Sequence, residues 1–275
     1  MARVVSATSV PRTIRSRRWT FDTVADRYEE ARGRHPDALV RRLVREARIG
    51  PGARVLEIGC GPGRFTRRLA PTGADVVAVE LGPRLAALAR RNLRPYPNVR
   101  VVRAAFETWP LPAPPFDLVV AAGSFHWLDP KVRARKCARA LRPGGRLALV
   151  GGAHVAGGTE RFWVESQRCY LRWVPGTRAG FRLARASSVT FPVPDLDRSR
   201  KFGPSVTHRF VRERTYTAQQ YRDLLLTYSD VLALPTRRRE GLVDCLTDLI
   251  RSRYGGQIAK RELFALQLWR RSAAP

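Results

Sequence analysis

The sequence predicts an α/β fold built on a doubly wound, mostly parallel sheet with helices on both faces. Three observations predict it. Short, almost wholly apolar strands alternate with helical segments between residues 54 and 150, the pattern of a parallel sheet buried on both sides. The stretch VLEIGCGPGR places Gly59, Gly61 and Gly63 directly after the first strand. An acid, Glu80, closes the second strand.

The elements follow in chain order. Phe21, Val24, Ala25 and Tyr28 recur at i, i+3, i+4 and i+7, one apolar stripe on a helix. A second helix starts at Pro36, a good first-turn residue, and runs through Leu39, Leu43 and Ala47 until Gly50 and Gly52 end it. The strand RVLEI, the glycine turn and a helix over about 64–70 come next. ADVVAVE (74–80) is the second strand, and Pro83 opens a helix carrying Leu85, Leu88 and Ala89. VRVVRA (99–104) leads through the proline-rich loop WPLPAPP to the fourth strand, FDLVVAA (116–122). A helix over about 130–141 is broken by LRPGG before the fifth strand, RLALV.

Beyond residue 151 the alternation loosens. ERFWVESQRCYLRW reads as helical and leads into an irregular segment with several prolines. Thr217 and Gln220 form a capping box for a helix with Tyr221, Leu224, Leu225 and Tyr228 on one face. A further helix carries Leu242, Leu246, Leu249 and Ile250, and LFALQLWRR reads as the closing strand.

Composition narrows the function. With 275 residues and 44% apolar content the chain buries a full core, and no apolar run reaches the roughly 18–20 residues that span a bilayer. The net charge of +28 would suit a nucleic-acid binder, yet only four of the 51 basic residues are lysines, and the arginines are spread over nearly every segment. Uniform arginine usage reads as a coding bias, so nucleic acid is not the expected partner. The acid-free, basic stretch MARVVSATSVPRTIRSRRW reads as a tail rather than a leader. Cys60, Cys137, Cys169 and Cys245 stand far apart with no CxxC pair. That spacing supports neither a zinc site nor a disulfide framework, and a reducing, cytoplasmic setting is expected.

In a doubly wound sheet, ligands bind beyond the carboxyl ends of the strands near the first strand–helix turn, where the three glycines stand. A dinucleotide fingerprint fails because Arg64 and Thr66 occupy the positions of its third glycine, and the phosphate-loop GK[ST] is absent. A carboxylate at Glu80 suits the hydroxyls of a ribose. A tight turn without ligand and an exposed strand-end acid are the alternatives; together the two features point to a nucleoside.

LEIGCGPGRFTRRLA resembles the first motif of class I S-adenosylmethionine-dependent methyltransferases, and FDLVVAAGSFHWLDP and LRPGGRLALV resemble that family's fourth- and fifth-strand signatures. FDTVADRYEEARGRHPDAL and TYSDVLALPTRRRE are similar to segments of a small-molecule subgroup that includes trans-aconitate methyltransferase-like (methyltransferase type 11) enzymes. The likeness covers residues 20–270. It implies a Rossmann-like seven-stranded sheet whose last strand is antiparallel, with a small helical or irregular substrate cap. It divides the chain into a basic tail (1–20), a cofactor-binding core with N-terminal helices (21–155), a substrate-cap insertion (156–215) and C-terminal helices with a strand that completes the sheet (216–275).

The resemblance also implies roles. Gly59, Gly61 and Gly63 let the backbone meet the methionine part of the cofactor S-adenosylmethionine, and Glu57 supports the loop. Glu80 holds the ribose, Ala105, Phe106 and Glu107 flank the adenine, Ala122 borders the site and Tyr28 closes over it. Many relatives carry an acid where this chain has Ala105, so backbone contact from Phe106 takes that part. The expected reaction is direct methyl displacement onto a carboxylate or hydroxyl oxygen of a small metabolite or natural product, with S-adenosylhomocysteine as the second product and no metal. His126 is the candidate base; packing beside Trp127 is its alternative. Trp127, Tyr170 and Trp173, with Phe162 and Trp163, are candidates for an acceptor pocket or for ordinary core. RNA methylation is a second reading, favoured only by charge and lacking an NPPY-type or DPPY-type segment. A catalytically inactive cofactor-binding partner is a third.

Overall fold

A computed structural model describes residues 19–272; the expected tail lies outside the described residues apart from Trp19 and Thr20. Its seven strands are β1 (Arg54–Ile58), β2 (Asp75–Glu80), β3 (Val99–Arg103), β4 (Phe116–Ala122), β5 (Leu141–Gly158), β6 (Val206–Thr217) and β7 (Gln257–Arg270), in the order β3-β2-β1-β4-β5-β7-β6. β1 to β5 pair in parallel. β7 runs antiparallel: the N–H of Gly144 donates to the carbonyl of Arg271, and that of Thr159 to the carbonyl of Ala259. This is the mixed, doubly wound sheet that the strand pattern predicts.

The chain forms two compact units. The first comprises Arg34–Gly152, Phe191–Phe210 and residues 264–272. Here successive strand residues face opposite sides of the sheet, and both sides are covered. Leu56, Ile58, Val77, Val79 and Val119 pack with Phe116 and Phe125 on one side. Val55, Val76, Leu118 and Val120 pack on the other with Leu39, Leu43, Phe65 and Leu69. Its helices are α2 (Asp37–Ala47), α3 (Thr66–Leu69), α4 (Pro83–Leu93), α5 (Arg133–Ala140) and the short α8 (Pro194–Asp197). α2 begins after Pro36 as expected, but its end falls before the glycines. Arg48 takes the left-handed conformation at φ 51°, and the N–H of Ile49 reaches back to the carbonyl of Val44. The buried Ile49 side chain offsets the cost of a non-glycine there.

The second unit comprises residues 19–33, Ala153–Thr190 and Val211–Leu263. Its helices are α1 (Ala25–Ala31), α6 (Glu160–Glu165), α7 (Gln167–Trp173), α9 (Ala218–Leu225), α10 (Ser229–Leu232) and α11 (Thr236–Arg253). Phe162, Trp163, Tyr216, Tyr221, Leu225, Leu242 and Leu246 form its core. The predicted capping box opens α9: the N–H of Gln220 donates to Thr217 Oγ1 at 3.2 Å, and that of Thr217 to Gln220 Oε1 at 3.0 Å.

Two expectations are corrected. Residues expected to be irregular form β6, an edge strand most of whose side chains are exposed or only partly buried, so it lacks the apolar run that marks the central strands. The cysteine spacing also misleads. Cys169 on α7 and Cys245 on α11 form a disulfide across a sequence separation of 76 residues, with Cα atoms 5.8 Å apart. Helix packing brings them together, which sequence spacing does not report, and the argument for a reducing compartment loses its premise. Cys60 and Cys137 are free and buried. No helix among the described residues is long and apolar enough to cross a membrane.

Candidate active site

The glycine turn lies in the first unit, at the carboxyl end of β1. Gly59, Gly61 and Gly63 all hold positive φ, at 67°, 57° and 84°, the region that a side chain disfavours. Their surroundings differ. A methyl at Gly59 would meet Ser124 Cβ at 2.6 Å, and one at Gly63 would meet Leu93 at 2.7 Å. At Gly61 it would meet nothing within 4 Å. Two of the glycines permit close packing inside the fold, whereas Gly61 faces open space.

Glu80 ends β2 beside this turn and is 7% exposed. Its Oε2 accepts from the N–H of Gly61 at 2.8 Å and its Oε1 from the N–H of Gly82 at 2.9 Å. A carboxylate has about four acceptor positions, so this bracing is compatible with receiving ligand hydroxyls as well. The N–H of Ala104 donates to the Glu80 carbonyl at 2.9 Å, which sets Ala105 and Phe106 directly after the end of β3. Phe106 is buried, its ring 5.4 Å from Lys136 Nζ, and Ala105 is half-buried.

Glu57 supports the turn from within β1. It is buried, and Thr66 Oγ1 donates to its Oε2 at 2.6 Å. Burial, reinforced by the nearby Glu80 charge and opposed by the Thr66 hydrogen bond, pushes the Glu57 carboxyl up to about 8. Burial likewise raises the Cys60 thiol, which keeps it a thiol at neutral pH. The sequence pattern did not single out Thr66, nor Ser124, whose Oγ donates to the Ile58 carbonyl and ties the end of β4 to that of β1. The GSF triplet after β4 was the available signal: Gly123 also holds a positive φ, at 75°.

Ala122 ends β4, half-buried, and His126 follows on a 3-10 turn (Phe125–Trp127). The His126 ring is exposed and lies 4.6 Å from Trp127, centroid to centroid. Partial desolvation by the surrounding protein, with the Arg133 charge adding, holds its imidazole below the ordinary value. The turn is braced by Arg133, which donates to the Phe125 carbonyl at 3.1 Å and pairs with Asp195 through two hydrogen bonds of 2.7 and 2.6 Å.

The remaining candidates belong to the second unit. Tyr28 on α1 meets Phe21 edge-on at 5.8 Å, and the Arg32 guanidinium lies 5.2 Å from its ring. Tyr170 is hydrogen-bonded with Tyr221, and burial raises both phenols. Trp173 lies against Gly241 of α11, where a methyl would sit 2.6 Å from the indole. Phe162 and Trp163 are core residues.

The glycine turn at the carboxyl end of β1 and the carboxylate at the end of β2 lie where doubly wound sheets bind their ligands. Residues 55–145 match the family described as methyltransferase domain. The chain is 36% identical over 131 residues to an uncharacterized methyltransferase of Mycobacterium tuberculosis, covering 48% of this chain and 51% of that one. It is 37% identical over 133 residues to the malonyl-acyl-carrier-protein O-methyltransferase of Enterobacter lignolyticus, covering 47% and 50%. It thus spans about half the length of these curated relatives. The YcgJ protein of Bacillus subtilis shares the fold, with a TM-score of 0.54 at 18% identity over 86% of this chain and 99% of that one. Over residues 55–145 the chain is similar to class I S-adenosylmethionine-dependent methyltransferases.

Proposed function

We propose that the chain is a methyltransferase that moves the methyl group of S-adenosylmethionine to an oxygen, carboxylate or hydroxyl, of a small metabolite or natural product. The observation that carries this reading is the Gly61–Glu80 pair: open space at a left-handed glycine, beside a buried carboxylate bonded to the turn. In this reading Gly59, Gly61 and Gly63 receive the methionine part, Glu57 keeps the turn in shape, and Glu80 takes the ribose hydroxyls. Ala105 and Phe106 flank the adenine and Ala122 borders the site. The matched relative named as an O-methyltransferase supports an oxygen acceptor.

When bound, S-adenosylmethionine supplies an electrophilic methyl on a sulfonium. The chain's task is then alignment, and positioning supplies roughly 7–11 kcal/mol of barrier lowering in ideal cases. A carboxylate acceptor needs no base. For a hydroxyl, His126 is the candidate base, neutral at pH 7 because its imidazole is held below the ordinary value.

Calorimetric titration with S-adenosylhomocysteine tests the reading, run beside Glu80→Ala. Micromolar binding that weakens at least tenfold in the variant is expected. A folded wild type that does not bind defeats it.

A further inference from the structure

Two acids stand beside the glycine turn, and the fold treats them differently. Glu80, at the end of β2, accepts from the N–H groups of Gly61 and Gly82, which favours its charged form. Glu57, on β1, is 1% exposed. It stands in register with Ala78 of β2 and Val120 of β4, on the side of the sheet that carries Val55 and is covered by Phe65 and Leu69. Among the described residues its one hydrogen-bond donor is the Thr66 hydroxyl, and no cation pairs with it. A buried carboxyl with a single neutral donor holds its proton.

Few charged or titratable groups bear on Glu57. Glu80 adds a negative charge from β2, which opposes ionisation further. Cys60, in the turn, is coupled to both carboxyls, and the Arg90 charge from α4 reaches it. β4 presents Val120 at this level, and α3 presents the Thr66 hydroxyl. Burial dominates and pushes the Glu57 carboxyl up to about 8, so it is uncharged at neutral pH.

The turn links this protonated carboxyl to the open space at Gly61, four residues further on. The N–H groups of Gly59 and Cys60 both donate to the Val79 carbonyl, at 2.8 and 3.2 Å, and fold the turn back over the end of β2. A cation entering there meets one carboxylate already ionised and one carboxyl able to ionise. An opposite charge within about 4–6 Å favours the ionised form of a carboxyl by about 10–1000-fold. By reciprocity, loss of the proton strengthens binding of the cation by the same factor. A ligand without that charge draws no such benefit.

We propose that Glu57 gives up its proton when a cationic ligand enters the glycine turn, so that the site selects the sulfonium of S-adenosylmethionine over the thioether of S-adenosylhomocysteine. This rests on the S-adenosylmethionine reading above. The two ligands differ by one positive charge, at the sulfur. The Glu57 proton leaves to solvent as the cation binds and returns from solvent once the sulfur is neutral. Glu57 thus acts through its charge and touches no reacting atom.

Calorimetric titration of the full chain with each ligand, in two buffers of different ionisation enthalpy, counts the protons exchanged. At pH 7 S-adenosylmethionine should release at least about half a proton more than S-adenosylhomocysteine, and the ratio of their affinities should rise about tenfold between pH 6 and 7.5. Glu57→Gln keeps an acceptor for the Thr66 hydroxyl but cannot ionise, so it should abolish both the difference in release and the rise. Thr66→Val removes the donor that opposes burial, should move the rise to higher pH, and decides the matter if Glu57→Gln does not fold. Equal proton release by the two ligands in the wild type overturns this proposal and leaves the cofactor site standing. An undiminished difference in folded Glu57→Gln, or an unmoved rise in Thr66→Val where that variant decides, overturns it equally. A folded wild type that binds neither ligand defeats the S-adenosylmethionine reading and this proposal with it.

Discussion

Gly61 and Glu80, on different strand ends, are joined by a 2.8 Å hydrogen bond from the Gly61 N–H to the Glu80 carboxylate. The two can be separated by mutation because they contribute differently. Glu80→Ala leaves the N–H groups of Gly61 and Gly82 without their acceptor, at about 1–3 kcal/mol each, and removes the carboxylate proposed to take the ribose hydroxyls. Both stability and S-adenosylhomocysteine affinity should fall. Gly61→Ala meets no neighbour, so its cost to folding is limited to the left-handed backbone, about 1–2 kcal/mol. Its methyl enters the open space, and affinity should fall at least tenfold while the melting temperature drops only a few degrees. Equal affinity in wild type and Gly61→Ala would show that this space is not used by the ligand.

Glu57 makes stability depend on pH. Its carboxyl ordinarily titrates at 4.5 and is pushed up to about 8 in the fold. Between those values the folded chain keeps a proton that the unfolded chain has lost, so stability falls as pH rises through that window and levels off above it. At 1.36 kcal/mol per unit the effect is on the order of 5 kcal/mol. Urea unfolding at pH 5.5, 7 and 8.5 should show the decline, and Glu57→Gln should flatten it. A wild type equally stable at all three would place the Glu57 proton elsewhere.

His126 stands exposed on a turn whose bracing comes from Arg133 rather than from its own side chain. His126→Ala should therefore fold normally and bind S-adenosylhomocysteine within twofold of wild type. If it is the base, turnover of a hydroxyl acceptor should fall with little change in KM. Proton-detected titration should find the imidazole below its ordinary 6.5, because desolvation and the Arg133 charge both oppose protonation. An imidazole titrating above 6.5 would contradict that environment, and unchanged turnover would remove His126 from the chemistry.

The central strands, the glycine turn, Glu80 and the Thr217 cap were legible because each is a local pattern: an apolar run, a glycine spacing, a strand-end acid, a four-residue box. What escaped depends on partners distant in sequence. Thr66 and Ser124 matter through Glu57 and the Ile58 carbonyl, which only the fold brings to them. β6 is defined by its hydrogen bonds to β7 more than by apolar content. Trp173 was equally ambiguous in sequence, and it lies against Gly241.

That contact and the disulfide form consecutive rungs between α7 and α11. Cys169 pairs with Cys245, and one helical turn along each helix, in opposite directions, Trp173 meets Gly241. The bond closes a long loop, for which a stabilisation of about 2–4 kcal/mol is typical. Thiol titration in denaturant should therefore find two free thiols, Cys60 and Cys137, before reduction and four afterwards. Reduction, or the pair Cys169→Ser and Cys245→Ser, should lower stability by that amount. Gly241→Ala should cost about 1–3 kcal/mol even in the reduced protein, because its methyl overlaps a rigid ring. Four thiols before reduction would show that the helices meet without the bond, leaving the Trp173–Gly241 rung to hold them.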